Sequence, residues 1–228
     1  MARAFDGTND NVDFGSDASI DGFSVMSIVG WVNIQTPAAN ADYLMSKVLT
    51  GGNTDGWAVT SNTNNTRMEL LRSWSGALAT WYFTKPANGR HHIAWTYDGG
   101  ATTNDPVGYL NGVSQTIGEA TAPSGTLPSD ATNNLRLGED GQGGSDAQCD
   151  VGWFTYHNAI LDAAAVNRCR WWGRPHGGMQ VYHPLVTDKL ANEGSATANG
   201  TATGSVMVAM AAPVQRPGSA MMGMGVGW

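Results

Sequence analysis

Arg90-His91-His92-Ile93-Ala94-Trp95-Thr96-Tyr97-Asp98-Gly99 is the stretch that decides the fold of this chain. Ile93, Trp95 and Tyr97 fall on one face; His92, Ala94 and Thr96 fall on the other. That two-residue period belongs to a half-buried β-strand. Asp98-Gly99 ends the run with turn chemistry. The same logic reads Phe5-Asp6-Gly7 and Tyr109-Leu110-Asn111-Gly112-Val113 as strands meeting tight turns, because Asp-Gly and Asn-Gly tolerate positive φ. In 24–34, Met26, Ile28, Val32 and Ile34 share a face with Gly30, and Trp31 points the other way.

Working outward, strands are expected at roughly 2–6, 11–14, 23–34, 42–48, 56–61, 67–72, 77–83, 90–97, 107–111, 113–117, 133–138 and 149–158, the spacing of an all-β sandwich. Two further strands are expected within 179–186 and 202–209. The chain has only 4 Glu and 3 Lys, so the usual surface residues of helices are scarce and an all-α fold is excluded. One helix is legible over 162–170, with Asp162 as N-cap, three alanines, arginines at the C-terminal end, and Gly173 and Pro175 as stops.

The 228 residues suffice for one large sandwich, and no linker divides them. The net charge of −7, with no basic cluster beyond the loose Arg168, Arg170 and Arg174 group, argues against nucleic acid as a partner. No apolar run of membrane-spanning length is present, and Met1-Ala2-Arg3-Ala4-Phe5 leads straight into the first expected strand, so a cleaved signal peptide is not expected. Cys149 and Cys169 allow one disulfide, but read as free, small apolar residues.

Eight pieces in order resemble the laminin-G-like (LamG) jelly roll of the concanavalin A-like lectin/glucanase superfamily. They are Phe5-Asp6-Gly7-Thr8, Ser27-Ile28-Val29-Gly30-Trp31-Val32, Leu44-Met45-Ser46-Lys47, Asp55-Gly56-Trp57-Ala58-Val59, 90–99, 109–112, Asn134-Leu135-Arg136-Leu137-Gly138, and 150–156 with the helix after it. The resemblance implies a two-sheet antiparallel β-sandwich with one short helix. A segment that precedes the Phe-Asp-Gly strand in many members follows the helix here, at 182–204. This order resembles a circular permutation, and it implies that the C-terminal strand lies beside the N-terminal one. The domain is therefore expected over 1–209, with 210–228 as a Gly/Met-rich tail.

The superfamily includes glucanases with a Glu-x-Asp-x-Glu pair of carboxylates. Glu69, Glu119, Glu139 and Glu193 show no such spacing, and no phosphate loop, serine elbow or zinc helix is present. The chain therefore reads as a non-enzyme. His91 and His92 face opposite ways on a strand and cannot share a ligand; one is expected buried and one exposed. Relatives often hold calcium, which makes a structural calcium ion the implied cofactor. Asp140, Asp146 and Asp150 in the 139–150 loop are the candidate ligands, with Asp6, Asp10 and Asp13 as a second set. Sugar binding needs aromatic platforms beside amide side chains. Trp57, Trp74, Trp81 and Tyr82 are the candidates, with Asn62, Asn64 and Asn65 in a nearby loop.

Met207, Met210, Met221, Met222 and Met224 place half of the ten methionines after position 206. With Trp228 they make an adaptable apolar ribbon, and Met221, Met222, Met224 and Trp228 are the expected assembly contacts. The Pro213-Val214-Gln215-Arg216-Pro217 tail and the permuted order resemble bacteriophage chains. That analogy implies a virion structural protein (capsid decoration, head fibre or tail-associated) that forms homo-oligomers and contacts capsid or tail proteins. The alternative is a carbohydrate-binding lectin module for host-surface glycans; a glycoside hydrolase ranks last.

Overall fold

The computed structural model describes residues 2–35, 42–48, 55–62, 64–140, 146–172, 179–183 and 200–208. Among them are sixteen strands: β1 (Ala2–Asp6), β2 (Asn11–Asp13), β3 (Val25–Ile34), β4 (Tyr43–Lys47), β5 (Trp57–Ser61), β6 (Arg67–Trp74), β7 (Ala77–Thr84), β8 (Gly89–Asp98), β9 (Val107–Leu110), β10 (Val113–Ser114), β11 (Gly118–Thr121), β12 (Arg136–Leu137), β13 (Gln148–His157), β14 (Met179–His183), β15 (Thr201–Thr203) and β16 (Val206–Val208). One α-helix, α1, spans Ala163–Trp172. The first sheet runs β10-β9-β8-β3-β13-β1-β16, with β14 also paired to β13. The second runs β11-β7-β6-β5-β4-β12-β2-β15. Every described pairing is antiparallel, and the chain is a two-sheet sandwich of the jelly-roll type.

The alternation read in β8 and β3 is what closes the sandwich. Ile93, Trp95, Tyr97, Met26, Ile28, Val32 and Ile34 all enter the core between the sheets. Three aromatic pairs bridge the two layers: Trp81–Tyr97 at 4.9 Å, Phe83–Trp95 at 5.1 Å and Trp57–Tyr156 at 5.0 Å between ring centroids. On the opposite face of the first sheet, Leu161, Ala165, Val166 and Cys169 cover Val29, Ala94, Tyr109 and Trp153. Asp162 caps the helix, its Oδ1 accepting from Ala165 N at 2.7 Å. Cys149 and Cys169 are both buried free thiols.

The turns differ in kind from their sequence reading. Asn111-Gly112 is a two-residue hairpin turn between β9 and β10, with φ of 53° and 81°. Asp6-Gly7 is not a hairpin: β1 and β2 lie in different sheets, so this turn carries the chain across the sandwich. Gly99 answers a need for space. A Cβ there would come within 2.9 Å of Ser24 O and Leu127 Cδ1. The strand expected over 202–209 is two strands about Gly204-Ser205, β15 pairing with β2 and β16 with β1. The C-terminal segment thus lies beside the N-terminal strand, as the permuted order implies.

One end of the core is polar and buried. Lys47 on β4 is fully buried; its Nζ donates to Asp21 Oδ1 at 2.8 Å, Asp130 O at 2.5 Å and Asn133 O at 3.0 Å. Asp130, also fully buried, accepts from Gly22 N at 2.7 Å and lies 3.6 Å from Arg72 NH1. Arg72 donates through NH2 to Phe23 O at 3.1 Å.

Candidate functional site

The described outer face of the second sheet carries the groups best placed to meet a ligand. Val59, Met68, Leu70, Trp81 and Phe83 point into the core, so their strand neighbours Thr60, Arg67, Glu69, Tyr82 and Thr84 point away from it. Register sets Tyr43, Thr60, Glu69, Tyr82 and Gly118 side by side across β4, β5, β6, β7 and β11. Gly118 makes room for its neighbour, since a Cβ there would lie 2.7 Å from the Tyr82 hydroxyl. Arg67 lays its guanidinium over the Tyr82 ring, 3.8 Å from the centroid.

Glu69 is half-buried in the middle of this row, and burial raises its carboxyl above the ordinary range, against a lowering pull from Arg67. No described residue donates a hydrogen bond to it. Thr60 Oγ1 is buried without a partner. Beside this row, Val48, Ala58 and Leu71 form a buried apolar cluster with Tyr43, with the partly buried Leu78 against it. A half-buried acceptor beside a partly exposed tyrosine with a cation stacked on its ring has the components of a site for a polyhydroxylated ligand. The row holds one carboxylate, so it contains no nucleophile–acid pair.

The sequence pattern points to different aromatics. Trp57 and Trp81 are fully buried and Trp74 nearly so, all three within the core. They correct the expectation of aromatic platforms: a ring sealed between the sheets cannot stack on a sugar. Of that set Tyr82 remains on the outer face. Asn64 is exposed in the β5–β6 turn, which Asn62 holds by accepting from Thr66 N at 2.8 Å and Arg67 N at 2.9 Å. Arg67, Glu69 and Thr60 were missed, although their alternation with Met68, Leu70 and Val59 was visible.

Asp140, Asp146 and Asp150 do not come together as a ligand set. Asp150 accepts from Asn33 Nδ2 at 2.8 Å and Gln35 Nε2 at 3.4 Å, and Asp140 is buried. In the second set, Asp10 accepts from Asp6 N at 2.8 Å, and its carboxyl is raised, chiefly by burial and further by Asp6 and Asp146. Asp13 turns instead to Arg136 Nε at 3.0 Å. Among the described residues no group of three or more His, Cys, Asp or Glu is placed to hold a metal ion. Residues 141–145 and the expected assembly contacts Met221, Met222, Met224 and Trp228 lie outside the described residues.

His91 and His92 face opposite ways, as expected. His91 is half-buried, its Nε2 2.8 Å from Ala87 O. His92 is fully buried, and burial with Arg170 nearby pushes its pKa down to about 3. The unfolded chain therefore takes up a proton near pH 6.5 that the native state refuses until about pH 3. The His92 contribution is complete above pH 6.5 and declines as pH falls, by up to about 1.4 kcal/mol per pH unit. Urea midpoints from pH 7 to pH 4 should fall less steeply for His92→Phe than for the native chain, and parallel curves would contradict the assignment.

No protein-family model matches this chain, and no curated protein sequence does. Solved structures do match. A "putative carbohydrate binding protein" from Bacteroides ovatus superposes with a TM-score of 0.64 at 13% identity, over 94% of this chain and 61% of that one. A native heptameric SAP-like pentraxin from Limulus polyphemus gives 0.55 at 10% identity, over 74% of this chain and 80% of that one. The match therefore spans less than two thirds of the Bacteroides protein. At such identities the likeness is one of fold alone, a two-sheet jelly-roll β-sandwich.

Proposed function

We propose that this domain binds carbohydrate without transforming it, through the outer face of the second sheet. The observation that carries the reading is Glu69, a half-buried carboxylate with no described donor, set between Thr60 and Tyr82 with Arg67 stacked on the tyrosine. Sugar hydroxyls would supply the missing donors to Glu69, and Arg67 would donate to sugar oxygens. The lectin-like fold and the description of the Bacteroides protein support this reading over the virion role. Neither of the two structures is described as a virion component, and the tail residues behind that role lie outside the described residues. Homo-oligomerisation belongs to the same proposal, because repeated weak sites gain avidity. A calcium ion in the 139–150 loop is a separate proposal.

A glycan array followed by calorimetry tests the site. Glu69→Gln and Arg67→Ala should each weaken the best glycan at least tenfold, with the melting temperature held within about 2 °C, as for surface substitutions. EDTA should leave this binding unchanged, because the row has one carboxylate. An array with no hit, or two variants that bind as the native chain does, would sink the proposal.

A further inference from the structure

The outer face of the first sheet carries a second cluster, built from cations and indoles. Register aligns Trp153, Trp31 and His92 across β13, β3 and β8. The His92 ring lies 5.5 Å from Trp31 and 5.7 Å from Trp153, and neither of its nitrogens has a hydrogen-bond partner. Arg90, two residues earlier on the same face of β8, lays its guanidinium 4.5 Å over the Trp31 ring. Arg170, in the last turn of α1, stacks at 4.5 Å on Trp171 and accepts from Trp31 Nε1 through its carbonyl at 3.2 Å. Its NH1 donates to Asn111 O. Arg90 thus meets Trp31 through its guanidinium and Arg170 through its backbone carbonyl, and the Nε of each arginine is buried without a partner.

The charge around them is unbalanced. Among the described residues neither Arg90 nor Arg170 forms an ion pair, although both are half-buried and burial lowers the pKa of each. Asp150 shares a cross-strand row with Arg90, but Asn33 stands between them and holds that carboxylate at 2.8 Å. Arg168 adds an exposed cation on the same helix. In a chain of net charge −7 this is a local excess of positive charge with no described counter-ion. Among the described residues the Arg90 guanidinium has no hydrogen-bond acceptor and that of Arg170 has one, at NH1, so N–H groups of both remain to meet a planar carboxylate.

We propose that this patch binds the carboxylate of an acidic sugar, with Arg90 and Arg170 pairing the charge and the half-buried Trp171 flanking the sugar ring. The site lies on the opposite face of the sandwich from the Glu69 row, and it stands or falls independently of it. Calorimetry with sialyllactose and a galacturonic-acid trimer, against lactose and inorganic phosphate, tests it. Expected is binding of at least one acidic oligosaccharide, weakened at least tenfold by Arg90→Gln and by Arg170→Gln, and weakened by added salt. Three results would overturn the proposal: no binding of either acidic sugar, equal binding by the arginine variants, or phosphate binding as tight as the sugar. Loss of acidic-sugar binding in Arg67→Ala alone would also overturn it, by moving the anion to the other face.

Discussion

Replacing Lys47 with methionine should lower the unfolding free energy by about 3–5 kcal/mol, the usual cost of removing one partner from a buried charge network. Its ammonium is fully buried and satisfies three acceptors at 2.5–3.0 Å. Methionine fills similar volume but donates nothing. The Asp130 and Asn133 carbonyls would then lose their donor, and Asp21 its counter-charge. Asp130 would keep Arg72 at 3.6 Å and the Gly22 amide at 2.7 Å. For a domain of this size that loss corresponds to a melting temperature lower by roughly 6–20 °C. Asp21→Asn should cost less, because Asp21 is at the solvent edge with 16% of its side chain exposed. The Lys47→Met and Asp21→Asn double variant should fall short of the sum of the two single losses, since both act on one contact. A Lys47→Met loss below 1 kcal/mol would show that the network is not holding this end of the sandwich.

Lys47 also marks where sequence reading stops. In Leu44-Met45-Ser46-Lys47 it looks like the polar end of a strand. What buries it arrives from 26, 83 and 86 residues away, a convergence no local pattern encodes. Local signals did carry the long strands. Alternation in β3 and β8 placed every core residue named there, and Asn111-Gly112 named its own hairpin. They failed at Gly118–Thr121, an exposed edge strand whose residues show no apolar alternation and which forms by pairing with β7. The Asp-Gly pair at 6–7 was legible as a turn but not as a crossover, because a turn does not announce which sheet receives its second strand. The Glu69 row needed register: Thr60, Glu69 and Tyr82 are neighbours only once β5, β6 and β7 are paired.

The tryptophans were misassigned for a different reason, and their substitution gives the second large effect. Trp57 alternates with Val59 and Trp81 with Phe83, so strand period already put both on the core side. Trp57→Ala should cost about 3–5 kcal/mol through lost contacts and the cavity left behind. Trp57 is fully buried, packs at 5.0 Å on Tyr156 and donates from Nε1 to the Tyr156 hydroxyl at 3.1 Å. Trp57→Phe keeps an aromatic ring and loses that donor, so its cost should be smaller, about 1–3 kcal/mol. Chemical denaturation orders the two variants, and calorimetry on the remaining folded protein separates stability from recognition. A platform tryptophan would lose glycan binding and keep its melting temperature. A core tryptophan does the reverse: the folded fraction of Trp57→Phe should bind the array's best glycan as the native chain does, because the Glu69 row lies on the far side of the sheet from this ring.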